Sequence, residues 1–208
     1  MKKNKMTRRG LIASLATLAG GSFFLRNADA SGLTPRASEG PFYPRPSMRM
    51  PDIDNDLVKV MGLVEEAGGE VITLKGTITD RNGKPRPGVR IEIWQCDMNG
   101  KYLHPGDNRN VAYDQGFQGF GHDITGKDGS YSFRTIKPGK YPGRTPHIHV
   151  KVLDGDTELL TTQFYVAGEP ANERDGLYRR MSEAQAKNVS MVYAETRDET
   201  EAIINVTV

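Results

Sequence analysis

Apolar and polar residues alternate in short runs along most of this chain, and turn residues punctuate the runs. The cleanest case is 88–94, Gly-Val-Arg-Ile-Glu-Ile-Trp, which sets Val89, Ile91 and Ile93 on one face of a strand and Arg90, Glu92 and Trp94 on the other. The same two-residue period predicts strands at 71–78, 130–136, 147–153, 158–166 and 202–208. Turn signals separate them at Asp80-Arg-Asn-Gly83, Asp128-Gly129 and Asp154-Gly155. Helical periodicity is confined to 182–187, with Ser182 as its N-cap. Positions 102–121 form a long Gly-, Asp- and Asn-rich loop, a length that in a compact domain usually serves function. The expected fold is all-β: an antiparallel β-sandwich with long loops at one end.

The N-terminal part follows other rules. Positions 1–30 combine a basic start, a mostly apolar run from Gly10 to Leu25 and an Ala28-Asp-Ala30 sequence of the signal-peptidase type. Arg8-Arg9 followed by Gly-Leu-Ile resembles a twin-arginine export signal. The apolar run is short for a membrane span, so no stable anchor is expected after processing. The reading is an exported chain, periplasmic or extracellular in a bacterial cell. Positions 31–56 are Pro-rich and aperiodic and predict an extended arm that docks through Phe42 and Tyr43. Positions 57–208 then form the β-domain.

Composition changes this picture little. The formal net charge of +2 belongs to the N-terminal segment, because six of the basic residues and one acid lie there and the remainder is acidic on balance. That argues against a nucleic-acid partner. Cys96 is the single cysteine, which excludes an intrachain disulfide, and its place at the end of an apolar strand reads as a buried thiol.

The candidate chemistry lies in Tyr141-Pro-Gly-Arg-Thr-Pro-His-Ile-His149. In a strand, His147 and His149 point to one side and can reach one ion, while Ile148 and Val150 point to the other. On its own a His-x-His pair suits several metals. With Tyr102 and Tyr141 as further donors the set favours a hard, high-valent ion, Fe(III) above all, since zinc sites more often use Cys, His or carboxylate. A phenol with an ordinary pKa near 10 becomes a ligand only because the cation drives off its proton.

Several motifs together resemble the intradiol ring-cleavage dioxygenases, the family of protocatechuate 3,4-dioxygenase. They are Glu39-Gly-Pro-Phe-Tyr-Pro44, Pro87-Gly-Val-Arg-Ile-Glu-Ile-Trp-Gln95, Gly100-Lys-Tyr-Leu-His104, Arg134-Thr-Ile-Lys-Pro-Gly-Lys-Tyr-Pro142, Arg144-Thr-Pro-His-Ile-His149 and Leu160-Thr-Thr-Gln-Phe-Tyr165. The resemblance implies one non-haem Fe(III) held by Tyr102, Tyr141, His147 and His149. It implies O2-dependent cleavage of a catechol between its hydroxyls to a cis,cis-muconate-type dicarboxylic acid. Tyr141 would take up a substrate proton, Arg144 would stabilise negative charge on the reacting ring, and Gln163 would orient the substrate. The segment 141–144 is shorter than in the protocatechuate enzymes, and the helical dimerisation region of catechol 1,2-dioxygenases has no counterpart, which leaves substrate and any homo-oligomer open.

Other residues read as structural. Trp94 is expected beneath the iron-bound phenolate of Tyr102, His104 near the site without ligating, and His122 without a metal partner. Tyr131, Tyr165 and Tyr193 read as packing, and the charges of 173–180 as a solvated segment. Two rival classes remain: a non-catalytic prealbumin-like binding module, suggested by 76–88, and an exported iron-binding protein without turnover.

Overall fold

The computed structural model describes residues 32–208, so the expected signal segment lies outside the described residues. Among the described residues there are nine strands and one α-helix. They are β1 (Val71–Thr79), β2 (Arg90–Trp94), β3 (Phe120–Ile124), β4 (Ser130–Ile136), β5 (His147–Asp154), β6 (Thr157–Val166), α1 (Glu183–Asn188), β7 (Ser190–Glu195), β8 (Thr200–Ile203) and β9 (Val206–Thr207). The helix has the expected Ser182 cap: its hydroxyl accepts from Gln185 N–H while the Gln185 side chain accepts from Ser182 N–H.

The sheet runs in the order β3-β2-β5-β6-β7-β8-β1-β4, with β9 on β1. The terminal strands β3 and β4 lie against each other, so the sheet nearly closes. Its inner face holds one apolar cluster that draws Ile72 and Leu74 from β1, Ile91 and Ile93 from β2, Phe133 from β4, Ile148 and Val150 from β5, Phe164 from β6 and Met191 from β7. Each fully buried aliphatic side chain contributes roughly 1.5–3 kcal/mol, which makes this cluster the main stabilising element.

The chain is all-β, but the ladders are mixed rather than purely antiparallel. β7 pairs parallel to β6, and β8 and β9 pair parallel to β1. The β6–β7 connection carries two 3-10 turns and α1, long enough to return the chain in the same direction. The expected C-terminal strand is two pieces. It breaks at Ile204, whose carbonyl accepts the buried Tyr131 hydroxyl at 2.7 Å. Asn205 spends its side-chain oxygen on Thr77 N–H at 2.9 Å. Two strands were not expected, β3 and β7. β3 reads Phe-Gly-His-Asp-Ile, in which Gly121 and Asp123 are weak strand formers and break the expected signal.

Candidate metal centre

The outer face of β2, β5 and β6 carries the chemistry. Register places Trp94 opposite His149 and His149 opposite Gln163, and sets His147 opposite Tyr165. This face is buried too, because residues 34–49 cross it. Ala37 N–H donates to Thr161 O at 2.9 Å. Gln163 Nε2 donates to Ser38 O at 3.3 Å, and the Tyr43 hydroxyl to Glu92 at 2.7 Å. Lys151 pairs with Glu39. Gly40 sits at φ +77°, where a side chain is strained, and a Cβ there would lie 3.1 Å from the His149 ring.

His147 and His149 face each other with their Nε2 atoms 3.2 Å apart. His147 Nδ1 lies 2.7 Å from the Thr145 carbonyl. A carbonyl only accepts, so Nδ1 carries the hydrogen and Nε2 presents its lone pair. Burial pushes the His147 pKa down to about 4, and nearby Arg144 adds to this, against a lift from the Thr145 bond. Burial, then electrostatic competition with His147 and the charge of Arg144, holds His149 well below its ordinary value. Both rings are therefore neutral near neutral pH. His149 stacks on Trp94 at 4.9 Å and 11°. Its Nδ1 is buried without a partner among the described residues.

Two loops bring the tyrosines together. Asp97 Oδ1 accepts the Asn99 and Lys101 N–H groups at 2.9 Å each, and this closes the turn that delivers Tyr102. The turn packs backbone to backbone against 137–141. A Cβ on Gly100 would lie 2.1 Å from Lys140 O, and one on Gly139 would lie 2.2 Å from Asp97 O. Only two glycines permit that approach. Tyr102 N–H then donates to Asp107 Oδ2 at 2.9 Å. Asp107 is paired with Arg109, whose guanidinium stands 5.0 Å over the Tyr141 ring. The Tyr102 ring lies 5.7 Å from Tyr141 edge-on and 6.2 Å from His149. Phe42 packs at 4.7 Å on Tyr102 and 5.8 Å on Tyr141.

These residues fit a metal ion. Two neutral imidazoles direct nitrogen atoms at one point, and burial raises the Tyr102 phenol well above its ordinary pKa, so it keeps its proton unless a cation displaces it. Among the described residues no group of three or more His, Cys, Asp or Glu could hold a metal. Further donors beside the histidine pair on this face are the phenols of Tyr102 and Tyr141.

Arg144 stands at the side of the pair. Its Nε donates to Asp175 Oδ2 at 2.7 Å and its Nη2 to Gln163 Oε1 at 2.7 Å. The Tyr165 hydroxyl also donates to Gln163 Oε1, at 2.9 Å. Asp175 is 1% exposed, so the expectation of a solvated segment over 173–180 fails at this residue. A carboxylate inside a run of charges carries no sequence mark of burial; its role appears only when the 3-10 turn Pro170–Arg174 folds it onto Arg144.

The family model described as Dioxygenase matches residues 38–206. The chain belongs to the intradiol ring-cleavage dioxygenase family. Members of that family are oxidoreductases. Protocatechuate 3,4-dioxygenase beta chain of Burkholderia cepacia is 34% identical over 160 residues, covering 73% of this chain and 68% of that protein. Catechol 1,2-dioxygenase 1 of Acinetobacter lwoffii is 30% identical over 170 residues, and the match spans 52% of its length. The dioxygenase domain of a dioxygenase–carbohydrate-binding fusion from Streptomyces sp. SirexAA-E superposes with a TM-score of 0.63 at 32% identity, over 85% of this chain and 97% of that one.

Beside the site of this intradiol family member, some expectations need correcting. Trp94 shares an apolar cluster with Tyr102, but it stacks on the imidazole of His149 rather than beneath the phenol. Tyr165 is more than packing, since its hydroxyl joins the Arg144–Gln163 network. His104 packs on Phe42 at 5.6 Å and spends Nδ1 on Gly106 N–H at 2.9 Å. His122 lies on β3 opposite Glu92 and away from the pair. Cys96 is buried, and burial, with the Asp97 charge, pushes its thiol up to about 12. Sequence reading also missed Asp107 and Arg109, which no spacing rule distinguishes within their loop.

Proposed function

We propose that this protein binds one non-haem Fe(III) through Tyr102, Tyr141, His147 and His149 and cleaves a catechol-type ring between its two hydroxyls. O2 supplies both added oxygen atoms, the product is a cis,cis-muconate-type dicarboxylic acid, and no external reductant is needed. The observation that carries this reading is the pair of Nε2 atoms meeting at 3.2 Å beside two phenols in a buried site. Membership of the intradiol family supports the reaction class. The N-terminal basic, apolar and Ala-x-Ala pattern supports export, and N-terminal sequencing that finds the mature chain beginning at Met1 would remove it.

Bound iron would supply Lewis acidity and a template for the two substrate oxygens. The remaining work falls to the chain. Tyr102 is buried and tied through its backbone to Asp107, which suits a permanent ligand. Tyr141 is only half-buried, which suits a ligand whose phenolate oxygen takes a proton from a substrate hydroxyl. Trp94 keeps the His149 ring in plane by stacking on it. Phe42 packs on both tyrosines and helps to bury Tyr102. Arg144 stabilises negative charge that grows on the ring, and Gln163 holds its guanidinium from the other side.

The test is O2 uptake by iron-loaded protein across catechol, protocatechuate, hydroxyquinol and lignin-derived catechols, with the product identified by mass. Uptake of one O2 per ring opened, with both atoms in the product, is expected. Tight iron binding with no uptake on any catechol would leave an iron-binding protein without turnover.

A further inference from the structure

We propose that Asp175 is the positioning residue of this site, one carboxylate that fixes both the guanidinium of Arg144 and, through Thr145, the imidazole of His147. The inference rests on the function proposed above for its catalytic consequence, but its geometry stands independently.

Asp175 satisfies four donors from one buried position. Oδ2 accepts from Arg144 Nε at 2.7 Å and from Thr145 N–H at 3.1 Å. Oδ1 accepts from Leu177 N–H at 2.9 Å and Tyr178 N–H at 3.0 Å. The same Thr145 presents its carbonyl to His147 Nδ1 at 2.7 Å. Its hydroxyl donates to Asn172 Oδ1 at 2.8 Å, and Asn172 in turn donates to Val166 O at 2.8 Å. Thr145 is thus held at three points, two of them on the segment 172–175. Its carbonyl has one orientation, and that orientation sets the His147 tautomer.

Arg144 is gripped in the same way. Asp175 takes the Nε edge and Gln163 takes Nη2, which leaves Nη1 without a partner among the described residues. A guanidinium fixed on two sides keeps its aim without reorganising when charge develops. The carboxylate is itself buried, and the partly buried guanidinium balances its charge there, where an unpaired ion is costly.

The decisive experiment labels metal-free protein with phenylglyoxal and follows Arg144 and the exposed Arg45 by peptide mass. In the wild type Arg144 reacts at least about tenfold more slowly than Arg45, as expected for a group held by charge-assisted hydrogen bonds. In D175N it reacts about fivefold faster than in wild type, and in D175E, which keeps the charge, the rate stays near wild type. For iron-loaded protein with a catechol that turns over, D175N lowers kcat by ~10- to 100-fold, the range of one hydrogen bond to a charged group, with a smaller change in KM. Equal labelling of Arg144 in wild type and D175N overturns the proposal. So does a D175N variant with wild-type kcat. If D175N does not fold, the wild-type rates decide: Arg144 labelled as fast as Arg45 overturns it. Labelling needs neither iron nor substrate, so an absence of dioxygenase turnover contradicts the functional reading and leaves this result intact.

Discussion

The two faces of β5 are both buried, yet nothing else about them is alike. Inward, Ile148, Val150 and Val152 are each 0% exposed and meet only the apolar cluster. Outward, His147, His149 and Lys151 are 3%, 3% and 7% exposed, and each meets a named polar or aromatic partner. The inner face is closed by neighbouring strands. The outer face is closed by residues 34–49 and by the two loops that carry Tyr102 and Tyr141. Burial that stabilises the inner face therefore poises the outer one. It keeps the imidazoles uncharged and holds the Tyr102 phenol in its protonated form.

The largest way to break this comparison is to remove a ligand. H149A leaves the inner face untouched, so the fold persists by circular dichroism, while iron retention against a chelator falls more than ~100-fold. Unchanged retention would show that the outer face is not a metal site. The mirror experiment is I148A. It costs about 2–5 kcal/mol in a denaturant melt, yet iron stoichiometry stays at the wild-type value below the transition.

Between these lies G139A. Its Cβ would meet Asp97 O at 2.2 Å, so the turn that delivers Tyr102 must move away from 137–141. Stability drops by ~1–3 kcal/mol and the absorption of the iron-loaded protein changes, a double effect that neither face shows alone. If only stability changes, the loops do not set the tyrosine geometry.

D107N is smaller and pH-dependent. Burial works against the Asp107 charge, but Arg109 and the Tyr102 and Arg109 N–H groups outweigh it and hold the carboxyl below its ordinary 3.8. A depressed folded pKa contributes stability that is complete above the unfolded value and is lost as pH falls. The wild type should exceed D107N by about 1–3 kcal/mol at pH 7, and the gap should close as pH drops through about 4 and below. A gap constant with pH would contradict the assignment. The smallest effect concerns Cys96. With its thiol pushed up to about 12 by burial, it should resist a thiol reagent at pH 8 in the folded protein and react on unfolding.

Much of the inner face was legible in the sequence, because period-two alternation and turn residues are local signals. β5 was readable down to which side each residue takes. β3 was not, since Gly121, His122 and Asp123 carry weak strand propensity and pair only because β2 lies beside them. The parallel pairings of β7, β8 and β9 depend on how long connections return, which no short window records. At the site, His147, His149, Tyr102, Tyr141, Arg144 and Gln163 were visible through motifs, and the structure brings them together. Asp175 and Asp107 were not, because a buried acid and a solvated acid look alike until the partner arrives from 31 or 5 residues away. Trp94 does share a cluster with Tyr102, but its stacking on His149 was not legible, because sequence proximity to the tyrosine hid a cross-strand neighbour.

The most direct test of the account is a titration of metal-free protein with iron, read by absorption in wild type and Y102F. The prediction is one Fe(III) per chain, a red-brown colour from phenolate-to-iron charge transfer, and a changed colour with weaker retention in Y102F. A colourless protein that takes up one zinc per chain in preference to iron, or a Y102F variant with the wild-type spectrum, would contradict it.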